Sequence, residues 1–215
     1  MDKLNVLELF AGTRSIGRAF ESRGHKVTSY DWAEDFDDCI KRDCYSLTKE
    51  EVESYDVIWA SPDCTTYSIA GAGAHRVKTT YATFKPISDY GEFCDRGNTY
   101  LMGVLKNLNN THLYYVENPR GMFRHMEFVR NIPRYTVTYC QYGDFRQKPT
   151  DIFTNHPNPK FRPPCKPKAL CHQPAPRGSS SGTQGIRSHI DRSRIPEQLC
   201  NHIVHISEEY FSLIR

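Results

Sequence analysis

The sequence places two chemically reactive side chains, a thiol and a carboxyl, directly after runs of apolar residues. Cys64 follows the run 56–60 within Ser61-Pro62-Asp63-Cys64, and Glu117 closes the run 113–116. If these runs are neighbouring parallel strands, both side chains face one crevice at the carboxyl edge of a sheet. A thiolate is a nucleophile and a protonated carboxyl is a general acid, so the pair predicts acid-assisted nucleophilic catalysis. A cysteine taken singly is more often an inert packing residue.

A second group of residues could bind a cofactor that contains adenosine. Phe10-Ala11-Gly12, with Gly17, predicts a turn in which the backbone approaches a ligand at a helix amino terminus. Asp31 offers a carboxylate to two ribose hydroxyls, and Trp32 offers an indole face to an adenine. Asp43 can accept a hydrogen bond from an adenine amino group. The alternative interpretation is an ordinary turn, an exposed acid and a half-buried tryptophan.

Alternating strand-like and helix-like segments predict the fold that positions these residues. Strand-like segments lie at 4–10, 26–30, 56–60 and 113–116. Helical periodicity lies at 16–20, 49–53, 101–108 and from Pro196 onward. This alternation favours an α/β fold with a mostly parallel sheet. Two further runs, 136–141 and 151–154, flank a turn and predict an antiparallel pair.

Length and charge distribution predict one catalytic domain with an appendage. The 215 residues suffice for one ordinary domain. Residues 31–56 carry ten acidic and three basic side chains, whereas 155–190 carry six basic and no acidic ones, with seven of the thirteen prolines. We predict a core at 1–155, a basic loop at 156–190 that attracts a polyanion, and a C-terminal helix at 191–215 that completes the core. Alternatively, the charges of the basic loop only keep it soluble.

Membrane and metal sites are not expected from the sequence. No stretch reaches the roughly 20 apolar residues of a membrane span, and the amino terminus lacks a signal-peptide layout, so a cytoplasmic protein with reduced cysteines is expected. Cys165, Cys171 and His172 could bind zinc together with a fourth ligand such as Cys140 or His156. Their irregular spacing departs from the close cysteine pairs of zinc sites, and therefore no metal is predicted.

Several motifs, in their order along the chain, resemble those of DNA (cytosine-5) methyltransferases, especially compact phage-type members. They span nearly the whole chain: Leu9-Phe10-Ala11-Gly12, Asp31-Trp32, Ser61-Pro62-Asp63-Cys64, Val116-Glu117-Asn118-Pro119 and Tyr142-Gly143. The resemblance implies a Rossmann-like methyltransferase sheet, S-adenosyl-L-methionine as cofactor and a cytosine flipped out of DNA. It also implies a cytoplasmic enzyme of a prokaryote or of a phage-infected host.

The resemblance assigns roles to individual residues. Carbon 5 of cytosine is too weakly nucleophilic to attack a sulfonium methyl unaided. Addition of the Cys64 thiolate at C6, with a proton or hydrogen bond from Glu117 to N3, turns C5 into an enamine-like nucleophile. The positions that contact the cofactor in the family correspond here to Phe10, Gly12, Asp31, Trp32, Asp43, Pro62 and Ser193.

Three positions depart from the family pattern. Asp63 stands where a proline usually precedes the cysteine, and Ser193 replaces an asparagine in the closing motif. Of the Gln-x-Arg-x-Arg signature only Gln147 aligns, and Arg146 is expected to supply the charge of the missing arginines. Gln147 and Arg146 are therefore predicted as further catalytic residues.

The recognition region is short compared with that of the family. About forty residues separate Phe153 from the closing motif, so we expect a monomer that acts on DNA that is single-stranded or has a short target site. Residues 70–96 are expected to close over the flipped base. The predicted nucleic-acid contacts are His75, Arg76, Lys78, Arg120, Lys160, Arg162, Lys166, Lys168 and Arg177.

Three other functions remain open at this point. The same chemistry could act on cytosine in RNA. An amino-methyltransferase acting on cytosine N4 or adenine N6 would need no thiol. A cofactor-binding module without catalytic activity would bind nucleic acid and transfer nothing.

Overall fold

The described part of the chain contains nine strands in two sheets. The computed structural model describes residues 2–80, 83–166, 169–173, 186 and 188–215. The main sheet contains β1 Asn5–Leu9, β2 Lys26–Asp31, β3 Ile40–Lys41, β4 Val57–Ala60, β7 Leu113–Pro119, β8 Arg134–Thr138 and β9 Pro149–Thr154. A separate antiparallel hairpin pairs β5 Arg76–Lys78 with β6 Phe84–Pro86.

The main sheet has the strand order β3-β2-β1-β4-β7-β9-β8. The first five strands in this order are parallel to one another, whereas β9 is antiparallel to both β7 and β8. The predicted fold class, a mostly parallel Rossmann-like methyltransferase sheet, is confirmed. Because β1, β4 and β7 are parallel and adjacent, the residues that follow them meet at one edge of the sheet.

Helices cover both faces of this sheet. The helices of the described residues are α1 Ser15–Ser22, α2 Lys49–Val52, α3 Ala72–His75, α4 Asp89–Lys106, α5 His189–Ser193 and α6 Glu197–Ile214. Side chains alternate across each strand, so that Leu7 packs on the side of α4 while Val6 packs on the side of α1 and α6. Two apolar layers result, and α6 closes the second one with Leu199, Ile203 and Phe211.

Local capping explains where several helices begin. The Ser88 hydroxyl accepts a hydrogen bond from the Gly91 N–H at the start of α4. Thr48 and Glu51 form a reciprocal capping box at the start of α2. Such caps satisfy backbone N–H groups that have no partner within the helix.

Some elements differ from the sequence-based prediction. The predicted strand 136–141 ends at Thr138, and a 3-10 turn, Tyr139–Tyr142, follows it. Helix α4 begins twelve residues before the predicted segment 101–108, at Asp89, and the hairpin of β5 and β6 was not predicted. Within the described residues, no helix combines the length and the apolar character needed to cross a membrane.

Candidate active site

Cys64 and Glu117 lie at the ends of adjacent parallel strands. Ala60, the last residue of β4, pairs with Val116 of β7, and β7 continues to Pro119, so Glu117 lies just beyond the last pair of the two strands. The Asn118 side-chain amide donates to the Pro62 carbonyl at 2.9 Å, which ties the end of β7 to the turn that carries Cys64. Cys64 is half-buried and Glu117 is buried. The strand register thus places the thiol and the carboxyl at one edge of the sheet.

The electrostatics of the two groups indicate that they face a common space. Burial, followed by repulsion from Asp63 and Glu117, raises the pKa of the Cys64 thiol to about 11. Near neutral pH, Cys64 is therefore mainly a thiol in the free protein. Burial also raises the pKa of Glu117, and this favours its protonated form. Glu117 is thus suited to donate a proton, whereas Cys64 needs help to ionise.

Lys148 is a residue of this site that the sequence interpretation missed. Its positive charge lowers the pKa of both Cys64 and Glu117. Its ammonium donates to the Arg192 carbonyl at 2.8 Å and lies 4.6 Å from the centre of the Tyr139 ring. Burial lowers the pKa of Lys148 itself. Its place next to Gln147, in the segment that aligns with the family signature, was the only signal in the sequence.

The hydroxyl of Tyr139 also contacts the acid. It donates to Glu117 Oε1 at 3.2 Å, and both side chains are buried. This hydrogen bond favours the carboxylate and opposes the effect of burial on the Glu117 pKa.

The turn after β1 forms a backbone cradle beside this site. Phe10, Gly12 and Arg14 all have positive φ, at 54°, 49° and 55°. The Gly12 N–H donates to Asp31 Oδ2 and the Ala33 N–H to Asp31 Oδ1, each at 2.8 Å. Each oxygen keeps a lone pair for a further donor, such as a ribose hydroxyl.

A pocket with aromatic and acidic walls adjoins this turn. Its lining includes Phe10, Trp32, Asp43, Tyr45 and Asp63. Trp32 is 63% exposed, so its indole face is available for stacking. Aromatic rings suit an adenine, and carboxylates suit the positive charges of a sulfonium and an ammonium. The residues present therefore fit S-adenosylmethionine.

One viral protein of known family has a similar sequence. A protein of Frog virus 3 (isolate Goorha), described as "Probable DNA (cytosine-5)-methyltransferase", is 28% identical over 158 residues, which make up 71% of each chain. This chain is therefore similar in sequence to a protein described as a DNA (cytosine-5)-methyltransferase, in agreement with the resemblance that its motifs predicted. No protein-family model matches the chain.

Several solved methyltransferases were also compared with this structure. The S. pombe Dnmt2 methyltransferase has a TM-score of 0.48 and 14% identity, covering 71% of this chain and 49% of that one. The Entamoeba histolytica methyltransferase EhMeth has a TM-score of 0.49 and 13% identity, with 75% and 56% covered. The chain spans about half the length of these two proteins.

The three departures from the DNA (cytosine-5) methyltransferase pattern have structural explanations. Asp63 shapes the turn around Cys64, because its carboxylate accepts hydrogen bonds from the Thr65 N–H at 3.0 Å and hydroxyl at 2.8 Å. Ser193 is exposed and its hydroxyl donates to the Ile190 carbonyl. Its neighbour Arg194 lines a groove together with Gly12.

Gln147 and Arg146, predicted as catalytic from the resemblance, have side chains engaged elsewhere. The Gln147 amide donates to Cys165 Sγ at 3.3 Å. The buried Arg146 guanidinium pairs with Asp144 and donates to the carbonyl of Asp191 at 3.1 Å. Arg146 therefore fastens α5 to the turn before β9, and Lys148 supplies the cation beside Cys64.

The residues predicted to contact nucleic acid differ in how exposed their side chains are. Arg76 is buried, donates to the Thr66 carbonyl and forms an ion pair with Asp95. This gives Arg76 a structural role in place of the predicted nucleic-acid contact. The half-buried His75 is hydrogen-bonded to Ser88.

The other predicted contacts lie at the surface where the structure describes them. Arg162 is exposed, but it donates to Gln198 and to the Gln141 carbonyl. Exposed candidates are Lys78, Arg120, Lys160 and Lys166. Lys168 and Arg177 lie outside the described residues.

Proposed function

We propose that this protein transfers a methyl group from S-adenosylmethionine to carbon 5 of a cytosine in DNA. The observation that carries the proposal is the shared position of Cys64, Glu117 and Lys148 at adjacent strand ends. The cofactor pocket next to the turn after β1 supports it. The enzyme class is that of the viral relative.

The residues of the site act in a fixed order. Cys64 loses its proton to solvent, and the charge of Lys148 favours the resulting thiolate. The sulfur bonds to C6 of the cytosine while the proton of Glu117 passes to N3, so that the ring electrons move toward C5. S-adenosylmethionine, when bound, supplies the electrophilic methyl group that C5 then accepts.

Release of the product reverses the activation. C5 loses its proton to solvent, the bond between Cys64 and C6 breaks, and the sulfur leaves as a thiolate. Glu117 regains its proton from N3. The raised pKa of Glu117 suits this exchange, because the acid must be protonated in the resting state.

DNA recognition rests on exposed basic residues around the crevice. Arg120 directly follows β7, and Lys160 and Lys166 lie on the basic loop. We propose that they contact phosphates, which position the substrate without reading its sequence. Because this region is short, we propose a monomer that acts on DNA that is single-stranded or has a short target, with the cytosine flipped out.

The covalent step can be tested with DNA containing 5-fluorocytosine and S-adenosylmethionine. Fluorine at C5 cannot leave as the proton does, so the reaction stops at the Cys64 adduct. We expect an adduct that survives denaturation in the unmodified protein and in Cys200→Ser, a control on α6. Cys64→Ser should form none.

Three results would change the assignment. An adduct with fluorinated RNA but not DNA moves the substrate to RNA. Methyl transfer that persists in Cys64→Ala assigns an amino-methyltransferase. Binding without any transfer to DNA or RNA assigns a module without catalytic activity.

A further inference from the structure

Four metal-ligating side chains meet on the side of the molecule that carries the basic loop. We call them the Cys3His cluster; its members are Cys140, Cys165, Cys171 and His172. Their sulfur and nitrogen atoms all lie within 4.8 Å of one another. Cys140 belongs to the turn after β8, while the other three follow β9. The irregular sequence spacing that argued against a metal site is therefore overcome by the fold.

The distances within the cluster match a tetrahedral ion. Cys171 Sγ lies 3.6 Å from Cys140 Sγ, and Cys165 Sγ lies 3.2 Å from Cys140 Sγ. His172 Nδ1 lies 3.6 Å from Cys165 Sγ and 3.7 Å from Cys171 Sγ. Tetrahedral zinc with normal bond lengths would separate two sulfurs by about 3.8 Å and a sulfur from a nitrogen by about 3.6 Å. The Cys140–Cys165 distance of 3.2 Å is shorter than the value for two sulfurs, whereas the other three distances are close to these values.

Two glutamine side chains surround the sulfurs with hydrogen-bond donors. The Gln147 amide donates to Cys165 Sγ at 3.3 Å, and the Gln141 amide donates to Cys171 Sγ at 3.4 Å. Donors of this kind stabilise thiolates and orient the ligands around a metal. Both glutamines thus have partners that a simple packing role would not require.

We propose that the Cys3His cluster binds one structural Zn²⁺ ion. Three thiolates and one imidazole form a soft donor set that zinc prefers, and four protein ligands leave no open position for catalysis. The cysteines are free thiols, so the ligands are available. The site does not depend on the proposed methyl transfer.

The surrounding chain explains why a metal is needed there. Among residues 157–166 only Pro159 is buried, and Leu170 is fully exposed. So little apolar burial contributes little to the stability of the segment, and small structures of this kind commonly depend on a metal or disulfide. Zinc would fix the segment that carries Lys160 and Lys166 to the turn after β8.

Metal content tests this proposal directly. The full chain is purified without chelators, and its zinc is measured by plasma mass spectrometry. We expect about one zinc ion per chain, retained in Cys200→Ser and lost from Cys171→Ser and His172→Asn. Loss of a ligand should weaken zinc binding by more than the roughly 10- to 100-fold cost of losing an outer-shell partner.

Cobalt provides a second readout that reports geometry. After chelation and reduction, Co²⁺ added to the unmodified protein or to Cys200→Ser should produce the intense visible absorption of a tetrahedral thiolate site. Cys171→Ser and His172→Asn should lack this absorption. Because Cys171 is exposed and His172 half-buried, both substitutions spare the core, and circular dichroism checks this. Reduced, folded protein that takes up neither Zn²⁺ nor Co²⁺ would overturn the proposal, as would full zinc content in both variants.

Discussion

Burial and three neighbouring ionisable groups set the reactivity of Cys64. Burial and the carboxyl groups of Asp63 and Glu117 disfavour its thiolate, whereas Lys148 favours it. The free protein therefore keeps Cys64 as a thiol, which protects it from oxidation and alkylation between turnovers. Binding of a substrate that excludes water would strengthen the effect of Lys148, because electrostatic interactions grow in a lower dielectric.

Removing the charge of Lys148 should make Cys64 less reactive. Alkylation by iodoacetamide requires the thiolate, so its rate rises with pH up to the Cys64 pKa of about 11. In Lys148→Met this profile should move to higher pH, and a displacement of about one pH unit would make the rate at a fixed pH about tenfold lower. Lys148→Arg should restore the rate. Mass spectrometry of the Cys64 peptide measures it, and equal rates in Lys148→Met and the unmodified protein would contradict the role.

Part of the candidate site could be predicted from residue types and their positions in the sequence. The other residues could be assigned only from their contacts in the folded structure. Cys64 and Glu117 could be predicted because each directly follows an apolar strand. Lys148 could not, since its effect depends on how the turn before β9 folds back toward β7. Arg76 resembled a phosphate contact, but its ion pair with Asp95 bridges nineteen positions of the chain.

The C-terminal helix α6 is anchored by one buried carboxylate. Glu208 accepts hydrogen bonds from Arg23 at 2.7 Å and from His25 at 3.1 Å. His25 Nδ1 accepts from the Leu4 N–H, so the proton resides on Nε2 and points to Glu208. This network joins α6 to the end of α1 and to the start of β2.

Glu208→Ala should destabilise the protein by about 2–3 kcal/mol, because it leaves two donors without their charged acceptor. Glu209 is the matched control, since it lies one position further on the exposed face of α6. Glu209→Ala should change stability by less than about 0.5 kcal/mol. Urea unfolding followed by circular dichroism measures both, and similar losses in the two variants would refute the anchoring role.

Elements with strong periodicity were predictable, and those with small or polar buried residues were not. The strands β1, β4 and β7 are mostly apolar, which is typical of buried parallel strands, whereas β2 is mixed in polarity. The first half of α4 escaped prediction because its buried face consists of Gly91, Cys94 and Asn98. These residues carry no apolar signal, yet the helix packs them against the core.

At the scale of the whole molecule, charge is segregated although the net charge is only +3. The acid-rich segment 31–56 supplies Asp43 to the cofactor pocket, while the basic loop carries exposed lysines. A cationic cofactor and an anionic polymer would thus approach different parts of the crevice.

DNA binding should therefore depend on salt mainly through the basic loop. Each phosphate contact contributes about 0.9 to the slope of log affinity against log salt for a duplex. Replacing Lys160 and Lys166 together by glutamine should lower that slope by about 2. Lys106→Gln, at the exposed end of α4, removes one charge away from the crevice and should leave the slope unchanged. Fluorescence anisotropy at several salt concentrations decides, and unchanged slopes in the double variant would exclude these contacts.

The strand order of the sheet could not be derived from local pattern. The sequence predicted that 136–141 and 151–154 pair, and β8 and β9 do so. The position of β9 between β7 and β8 depends on long-range strand pairing, which local sequence periodicity does not predict. The same insertion gathers the Cys3His cluster from separate segments of the chain.

Tyr139 and Cys140 are consecutive residues with separate partners. The phenol of Tyr139 donates to Glu117, and the sulfur of Cys140 lies in the Cys3His cluster. One peptide bond thus links the residue that hydrogen-bonds to Glu117 with a member of the Cys3His cluster. Oxidants, chelators or a shortage of zinc would disturb the cluster thiols. Such a change at Cys140 would occur one residue away from Tyr139, which hydrogen-bonds to Glu117. If the Cys3His cluster binds zinc, the proposed methyl transfer would then depend on the metal and redox status of the surroundings.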